Sequence, residues 1–205
     1  MRQVGLDGLS AVTLLTSAVL KRRMEARAQT LAPARAAAGG LPAAFERLFI
    51  REYGRVAAIA YRVLGDAAEA EDVAQDVFVS FYRRHDPEAS YAPSWLYAAS
   101  AHTALNAVRG RTRRARREST AAPREADRVT DPEAEAIAAE ERELVRDTLA
   151  RIPEQAASLL ALRYSGLSYA ECAAALGVRI DQVGTRLRRA QEAFRKEVLH
   201  DQQQP

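Results

Sequence analysis

Hydrophobic residues recur at steps of three and four from Pro42 onward, which is the period of an amphipathic α-helix. The first such stretch ends at Gly65, and glycine suits a helix end because it tolerates left-handed backbone. A second stretch follows, with apolar positions from Ala70 to Phe81 and acidic residues on its other side. Few segments alternate with the period of two that a half-buried strand requires. The pattern predicts an all-α protein whose first two long helices are antiparallel.

A loop and a third helix are predicted next. Proline, serine and aspartate between His85 and Ser94 are typical of a loop. Ser94 is a candidate N-cap for the following helix, which has apolar positions from Trp95 to Val108. That helix continues into a run of arginines with no acidic neighbour before Glu118, and such density favours a polyanionic partner over a plain solvated surface. The run comprises Arg109, Arg111, Arg113, Arg114, Arg116 and Arg117.

The segment after Gly166 has the pattern of a helix-turn-helix. Ser168-Tyr169-Ala170-Glu171 has the spacing of a capping box. The short helix that it opens ends at Gly177, and a long helix follows from about Asp181, so that the second helix could lie in the major groove of DNA. A plain bundle of short helices is the alternative on this pattern alone. The residues predicted to meet phosphates and base edges are Arg179, Gln182, Thr185, Arg186, Arg188 and Arg189.

Composition shifts divide the chain into two small helical domains joined by a flexible acidic linker. The predicted organisation is an N-terminal extension over 1–40, a first domain over 41–117, a linker over 118–132, a helix-turn-helix domain over 133–199 and a tail over 200–205. Leu9, Val12, Thr16 and Val19 share one helical face in the extension. This extension is either a loosely ordered terminus or a short helix that binds a partner.

Charge and cysteine usage narrow the class of protein. The net charge is +3, Cys172 is the single cysteine, and the three histidines lie far apart, so neither a disulfide nor a metal site is expected. Cys172 has no base at a recognisable spacing and no glycine-rich phosphate loop occurs, so we expect no enzyme and no cofactor. The apolar run from Leu9 to Leu20 is shorter than the roughly 20 residues of a bilayer span. A cytoplasmic protein without stable membrane insertion is expected.

Several segments, taken in order, resemble extracytoplasmic-function (group four) sigma factors of bacterial RNA polymerase. Residues 152–154, 159–164, 166–171, 174–178 and 183–190 are similar to the C-terminal promoter-reading domain of that family. Glu71-Asp72-Val73-Ala74-Gln75-Asp76-Val77-Phe78 resembles its polymerase-binding helix. Ser94-Trp95-Leu96-Tyr97 and the arginine run resemble its DNA-melting helix. The similarity covers about Phe45 to Lys196.

The resemblance implies a subunit that binds core RNA polymerase and promoter DNA, melts the −10 region and recognises the −35 element. The residues that it assigns to core polymerase are Glu71, Asp72, Gln75 and Asp76. Those assigned to the −10 region are Tyr91, His102, Asn106, Arg109, Arg111, Arg113 and Arg114, and the helix-turn-helix residues named above are assigned to the −35 element. Tyr91 either stacks on a flipped base or anchors the core. Relatives are commonly restrained by an anti-sigma factor, so such a partner is also implied.

Four positions depart from the family pattern. His102 and Asn106 stand where relatives tend to carry Asn and Asp, Gly184 replaces a common Lys or Arg, and Asp181 would repel a phosphate. The promoter sequence therefore does not transfer from relatives. The alternative function is a helix-turn-helix regulator that is not a polymerase subunit. Such a regulator would not need the acidic face over 71–78 or the arginine run.

Overall fold

A computed structural model describes residues 41–118 and 132–201, with side chains over 41–114 and 139–201. This part of the chain contains seven α-helices and no strand. They are α1 (Ala43–Leu64), α2 (Ala67–Arg84), α3 (Ala92–Glu118), α4 (Pro132–Arg151), α5 (Glu154–Tyr164), α6 (Tyr169–Leu176) and α7 (Ile180–Asp201). The all-α prediction is confirmed. The extension over 1–40, the linker apart from its first and last residues, and the final four residues lie outside the described part.

The α1–α2 hairpin forms as the sequence pattern predicts. Gly65 ends α1 in left-handed backbone with φ of 69°, and its N–H donates to the carbonyl of Tyr61. The side chain of Asp66 then caps α2 by accepting from the backbone N–H of Glu69 at 2.9 Å. Two residues therefore suffice to reverse the chain. The ring centroids of Phe49 on α1 and Phe78 on α2 lie 4.9 Å apart, edge to face, in the core between the two helices.

The start of α3 differs from the prediction that Ser94 is its N-cap. The helix begins at Ala92, and the hydroxyl of Ser94 donates to the carbonyl of Tyr91 at 2.9 Å instead of accepting from a backbone N–H. Pro93 explains the earlier start, because proline is tolerated in the first turn, where its missing N–H has no helical partner. The N-cap prediction for Ser94 is therefore wrong.

A buried carboxylate joins α1 to α3. Glu52 is only 5% exposed, and it accepts hydrogen bonds from the Tyr97 hydroxyl at 2.5 Å and from Nε of Arg51 at 2.7 Å. Burial raises the pKa of Tyr97, and the bond to Glu52 raises it further, so the phenol remains a donor across the ordinary pH range. Arg55 continues this network by donating to the Tyr97 hydroxyl at 2.9 Å.

The capping box at the start of α6 is confirmed. The Ser168 hydroxyl accepts from the backbone N–H of Glu171 at 3.2 Å, and the Glu171 carboxylate accepts from the backbone N–H of Ser168 at 2.7 Å. Partial burial tends to raise the pKa of Glu171, but the hydrogen bonds from Ser168 and Arg55 outweigh it and hold that pKa below its ordinary value. At neutral pH the carboxylate is ionised and the box is complete.

Loss of the cap should destabilise the protein measurably. Ser168→Ala is expected to lower the free energy of unfolding by about 1 kcal/mol, because a backbone N–H at the helix start loses its acceptor. Urea denaturation followed by circular dichroism measures the change. Ser168→Thr is the matched control, since threonine also caps. An equal loss in both variants would mean that the cap does not set the stability.

The two helical units pack against each other. α3 contacts α4, α5 and α6, and α1 contacts α4 and α5. The buried hydrophobic residues form one continuous cluster that includes Phe45 of α1, Leu105 of α3, Leu162 of α5 and Ala190 of α7. The sequence predicts two domains and a linker between them, and the structure adds an extended interface between the domains.

Candidate nucleic-acid and polymerase interfaces

The recognition helix α7 is seated as its periodicity predicts. The side chains of Val183 and Leu187 lie on the inner side of this helix and are buried. The candidate DNA contacts on the helix lie away from this buried side, with Thr185, Arg188 and Arg189 exposed and Arg186 partly buried. The remaining candidates, Arg179 and Gln182, are exposed at the turn and in the first turn of the helix. The structure thus brings all six predicted residues to the same unit and leaves five of them well exposed.

Several of these side chains are already aligned by neighbours. Arg186 donates to the Gln182 side chain at 3.0 Å, one helical turn away. Arg179 makes a two-point contact with Asp181, with Nη2 2.8 Å from one carboxylate oxygen and Nε 3.2 Å from the other. Both partners of the second pair are well exposed, and exposed pairs contribute little, so a DNA phosphate can exchange for the carboxylate at small cost.

Gly184 lies beside the ring of Tyr169, but the space there does not require a glycine. A Cβ at this position would lie 3.6 Å from the ring of Tyr169, so an alanine fits in ordinary contact. Its neighbour Thr185 on the same helix is exposed. Glycine at this position leaves α7 without a side chain beside Tyr169.

The loop before α3 leaves Tyr91 at the surface. Tyr91 is 47% exposed, and its ring lies edge to face with His85 at 5.9 Å. Trp95 provides the core anchor instead, with its ring 5.4 Å from Phe81 and 4.4 Å from His85. The core-anchor alternative for Tyr91 is therefore wrong, and its ring is available to an outside partner.

The predicted −10 residues on α3 fall into two groups. His102, Asn106, Arg113 and Arg114 are exposed. Arg111 is paired with Glu69 of α2, and Arg109 is only 20% exposed because it contacts the second unit. In this arrangement the arginine run is not one open surface. Arg116 and Arg117, at the end of the run, lie outside the described side chains.

The candidate polymerase surface on α2 is open. Asp72, Gln75 and Asp76 are exposed, Glu71 is partly buried, and Val73 and Val77 face the core on the opposite side. The sequence prediction missed two exposed apolar residues on this helix. They are Val79 and Tyr82, which follow Gln75 at four and seven residues and extend the same helical stripe. The signal in the sequence was that these two apolar residues continue a helical stripe whose earlier members are polar.

No helix in the described part of the chain is both long enough and apolar enough to cross a membrane.

Two family models match this chain. The model for Sigma-70 region 2 matches residues 48–114, which span most of α1, all of α2 and most of α3. The model for Sigma-70, region 4 matches residues 142–193, which include the helix-turn-helix. The matches therefore coincide with the two units and with the surfaces described above.

Relatives of known name are similar over most of the chain. The RNA polymerase sigma-H factor of Pseudomonas aeruginosa is 31% identical over 175 residues, covering 75% of this chain and 85% of the relative. The ECF RNA polymerase sigma-E factor of Escherichia coli K12 is 30% identical over 171 residues, covering 76% and 86%. A solved structure of CnrH in complex with the cytosolic domain of CnrY is 25% identical with a TM-score of 0.49, covering 86% of this chain and 99% of that one. The identity to the two sigma factors of Pseudomonas aeruginosa and Escherichia coli, over most of their length, places this chain in the ECF family of RNA polymerase sigma factors.

Proposed function

We propose that this protein binds core RNA polymerase and directs promoter-specific transcription initiation, without a reaction of its own. The observation that carries the proposal is the combination of surfaces on one chain. An exposed recognition helix, an arginine-rich α3 and an exposed acidic stripe on α2 lie at the positions matched by regions 2 and 4. A DNA-binding regulator that acts without polymerase would need only the first of these.

Polymerase docking is assigned to the open side of α2. Asp72, Gln75 and Asp76 provide polar contacts, while Val79 and Tyr82 provide apolar area on the same stripe. An interface that combines an aromatic anchor with a polar rim is typical of specific protein association. Within the described residues, α2 packs on α1 and α3 and on no helix of the second unit, so docking there does not require the units to separate.

The −35 element is assigned to α7. An exposed helix of this kind fits the major groove, where arginine and glutamine recognise guanine and adenine edges. Gln182 and Arg186 are held together by a hydrogen bond, and Nη1 of Arg186 lies 3.5 Å from the Gln155 side-chain oxygen on α5. This support orders the Arg186 guanidinium before DNA arrives, which reduces the entropy lost on binding.

The melted −10 region is assigned to the loop before α3. Tyr91 offers an exposed ring for stacking, worth about 1–3 kcal/mol per base. Beside the loop, a cavity of about 360 Å³ lies between α1 and the loop, and Arg47, Arg51, Glu88 and Ser90 are among its lining residues. Polar walls of this kind can hydrogen-bond a base that has left the stack. Arg113 and Arg114 would contact the adjacent backbone.

Two further proposals, the location in the cell and an anti-sigma partner, rest on the family and not on contacts within the protein. We propose a cytoplasmic location, because the template and core polymerase are found there. An anti-sigma factor remains a proposed partner, and no described residue identifies it.

Run-off transcription with purified core polymerase and the DNA upstream of the protein's own gene tests the proposal. The expected result is a transcript of defined start that requires both the protein and the polymerase. Tight binding to that DNA without polymerase, with no transcript when polymerase is added, would replace the proposal with the regulator function.

A substitution on α7 separates promoter recognition from polymerase binding. Arg189→Ala is expected to weaken promoter binding by the polymerase complex about tenfold, since one lost base or phosphate contact costs about 1–3 kcal/mol. Binding to core polymerase should be unchanged in a pull-down. Lys196→Ala is the matched control, because this exposed cation lies two turns further along the same helix. Equal losses in the two variants would show that only total charge matters.

A further inference from the structure

Arg186 is the candidate DNA contact of α7 that a second helix also holds. Its Nη2 donates to the Gln182 side-chain oxygen at 3.0 Å, and its Nη1 donates to the Gln155 side-chain oxygen at 3.5 Å, the longer and weaker of the two bonds. Gln182 lies one turn earlier on α7, whereas Gln155 belongs to α5, which precedes the helix-turn-helix. The guanidinium is therefore held from two directions, within its own helix and from a neighbouring one.

The backbone that carries Gln155 is fixed relative to the recognition helix. α5 packs against α7, and Leu159 and Leu162 of α5 are buried in the core. Gln155, Gln182 and Arg186 are among the residues that line an open groove of about 690 Å³ between the two helices. Both glutamines are exposed and the arginine is partly buried. The guanidinium is thus supported without being closed off from an outside partner.

The two partners of Arg186 are neutral amides. By contrast, Arg179 pairs with the carboxylate of Asp181, and Nη1 of Arg188 lies 3.8 Å from a carboxylate oxygen of Glu192. A carboxylate cancels part of the positive charge that attracts the DNA backbone, whereas an amide oxygen accepts a hydrogen bond and leaves that charge intact. Arg186 therefore combines a supported geometry with its full charge, which suits a side chain that recognises a base edge.

The bond to Gln182 also determines which base edge fits. The Gln182 oxygen faces Arg186, so the group that this glutamine can turn toward DNA is its amide NH₂, a donor. Bidentate recognition of adenine requires a glutamine to use its oxygen and its nitrogen together. In the major groove guanine presents the acceptors N7 and O6, and cytosine presents a donor. Arg186 and Gln182 together present donors and therefore match guanine.

We infer that Gln155 is a positioning residue for promoter recognition, which holds Arg186 so that Arg186 and Gln182 together recognise one guanine of the −35 element. This inference rests on the proposed function, because the assignment of α7 to the −35 element belongs to it. Without Gln155 the Arg186 side chain has more rotamers available, and a freer guanidinium can donate to a phosphate of any sequence. Loss of Gln155 should therefore reduce the preference for guanine more than the affinity for DNA.

A promoter library randomised through the −35 element tests the inference with the full-length protein and core polymerase. The bound DNA is sequenced, and the base preference is measured at each position. The wild-type complex is expected to prefer guanine about tenfold at one position, as a good bidentate contact does. Arg186→Ala should remove that preference and so identify the position. Gln155→Ala should reduce the preference at the same position about threefold, because the guanidinium regains rotamer freedom, and should leave the other positions unchanged.

Two matched variants separate positioning from a general structural role. Gln155→Glu keeps an acceptor of the same reach, so the guanine preference should persist, while the added negative charge should weaken binding to every sequence. Gln191→Ala removes a glutamine of α7 whose amide donates to the Tyr164 hydroxyl at 3.1 Å, and it should change the preference at no position.

Three results would overturn the role of Gln155. They are an unchanged guanine preference in Gln155→Ala, an equal loss of preference at all positions in that variant, as a displaced helix would cause, and a loss of the preference in Gln155→Glu. A wild-type complex that selects no −35 sequence from the library would instead overturn the proposed function, so the two failures are distinguishable.

Discussion

Replacing Asp72, Gln75 and Asp76 together with alanine is expected to reduce run-off transcription about 100-fold or more. The three side chains are exposed on α2, and the proposed polymerase interface would lose three polar contacts at once. Losses of about 1 kcal/mol each would together produce an effect of this size, since every 1.4 kcal/mol is about tenfold. Transcription should fall equally at every promoter, because the substitution acts before DNA is recognised.

A matched variant separates this effect from a change in charge. Glu140→Ala with Glu141→Ala removes two exposed carboxylates from α4, as the α2 variant does from α2. The control should transcribe at the wild-type level, and both proteins should keep the wild-type unfolding midpoint. The α2 assignment fails if the α2 variant still binds core polymerase normally in a pull-down.

Replacing Glu52 with alanine is expected to lower the free energy of unfolding by about 2–4 kcal/mol, because a buried donor loses its acceptor and a cavity remains. Glu52 is almost fully buried, and its removal leaves the buried Tyr97 hydroxyl without its acceptor, whereas the exposed Arg51 guanidinium can turn to water. The space left by one methylene and one carboxylate adds to the loss. Chemical denaturation at neutral pH measures the change.

The partners of Glu52 allow the contributions to be separated. Tyr97→Phe removes one hydroxyl and should lower the free energy of unfolding by about 1–2 kcal/mol. The double variant should lose less free energy of unfolding than the sum of the losses in the two single variants, because it loses the shared hydrogen bond only once. Exact additivity would contradict the bond between Glu52 and Tyr97. Arg55 also contacts the Tyr97 hydroxyl and Glu171, so this network connects the core of the first unit to the capping box of the second.

The local features of this protein were determined by the sequence alone. Periodic apolar positions predicted the helices, Gly65 predicted the end of α1, and Ser168 with Glu171 predicted the capping box that the structure contains. The inward positions of Val183 and Leu187 in α7 also followed from spacing. These features depend on contacts within a few residues, where helix geometry fixes which side chains meet. The resemblance to sigma factors rested on the same short segments, and the family models and relatives confirmed it.

The pairing of charges was decided by the tertiary structure. Arg109 and Arg111 belong to one basic run in the sequence, yet the first contacts Glu154 of the other unit and the second contacts Glu69, 42 residues away. The exposure of Tyr91 and the buried position of Glu52 were likewise invisible to periodicity. A long charged side chain takes whichever partner the packing of helices brings within reach, and that packing depends on the whole core. The sequence therefore predicted which residues could bind DNA, and only the fold decided which of them are already paired within the protein.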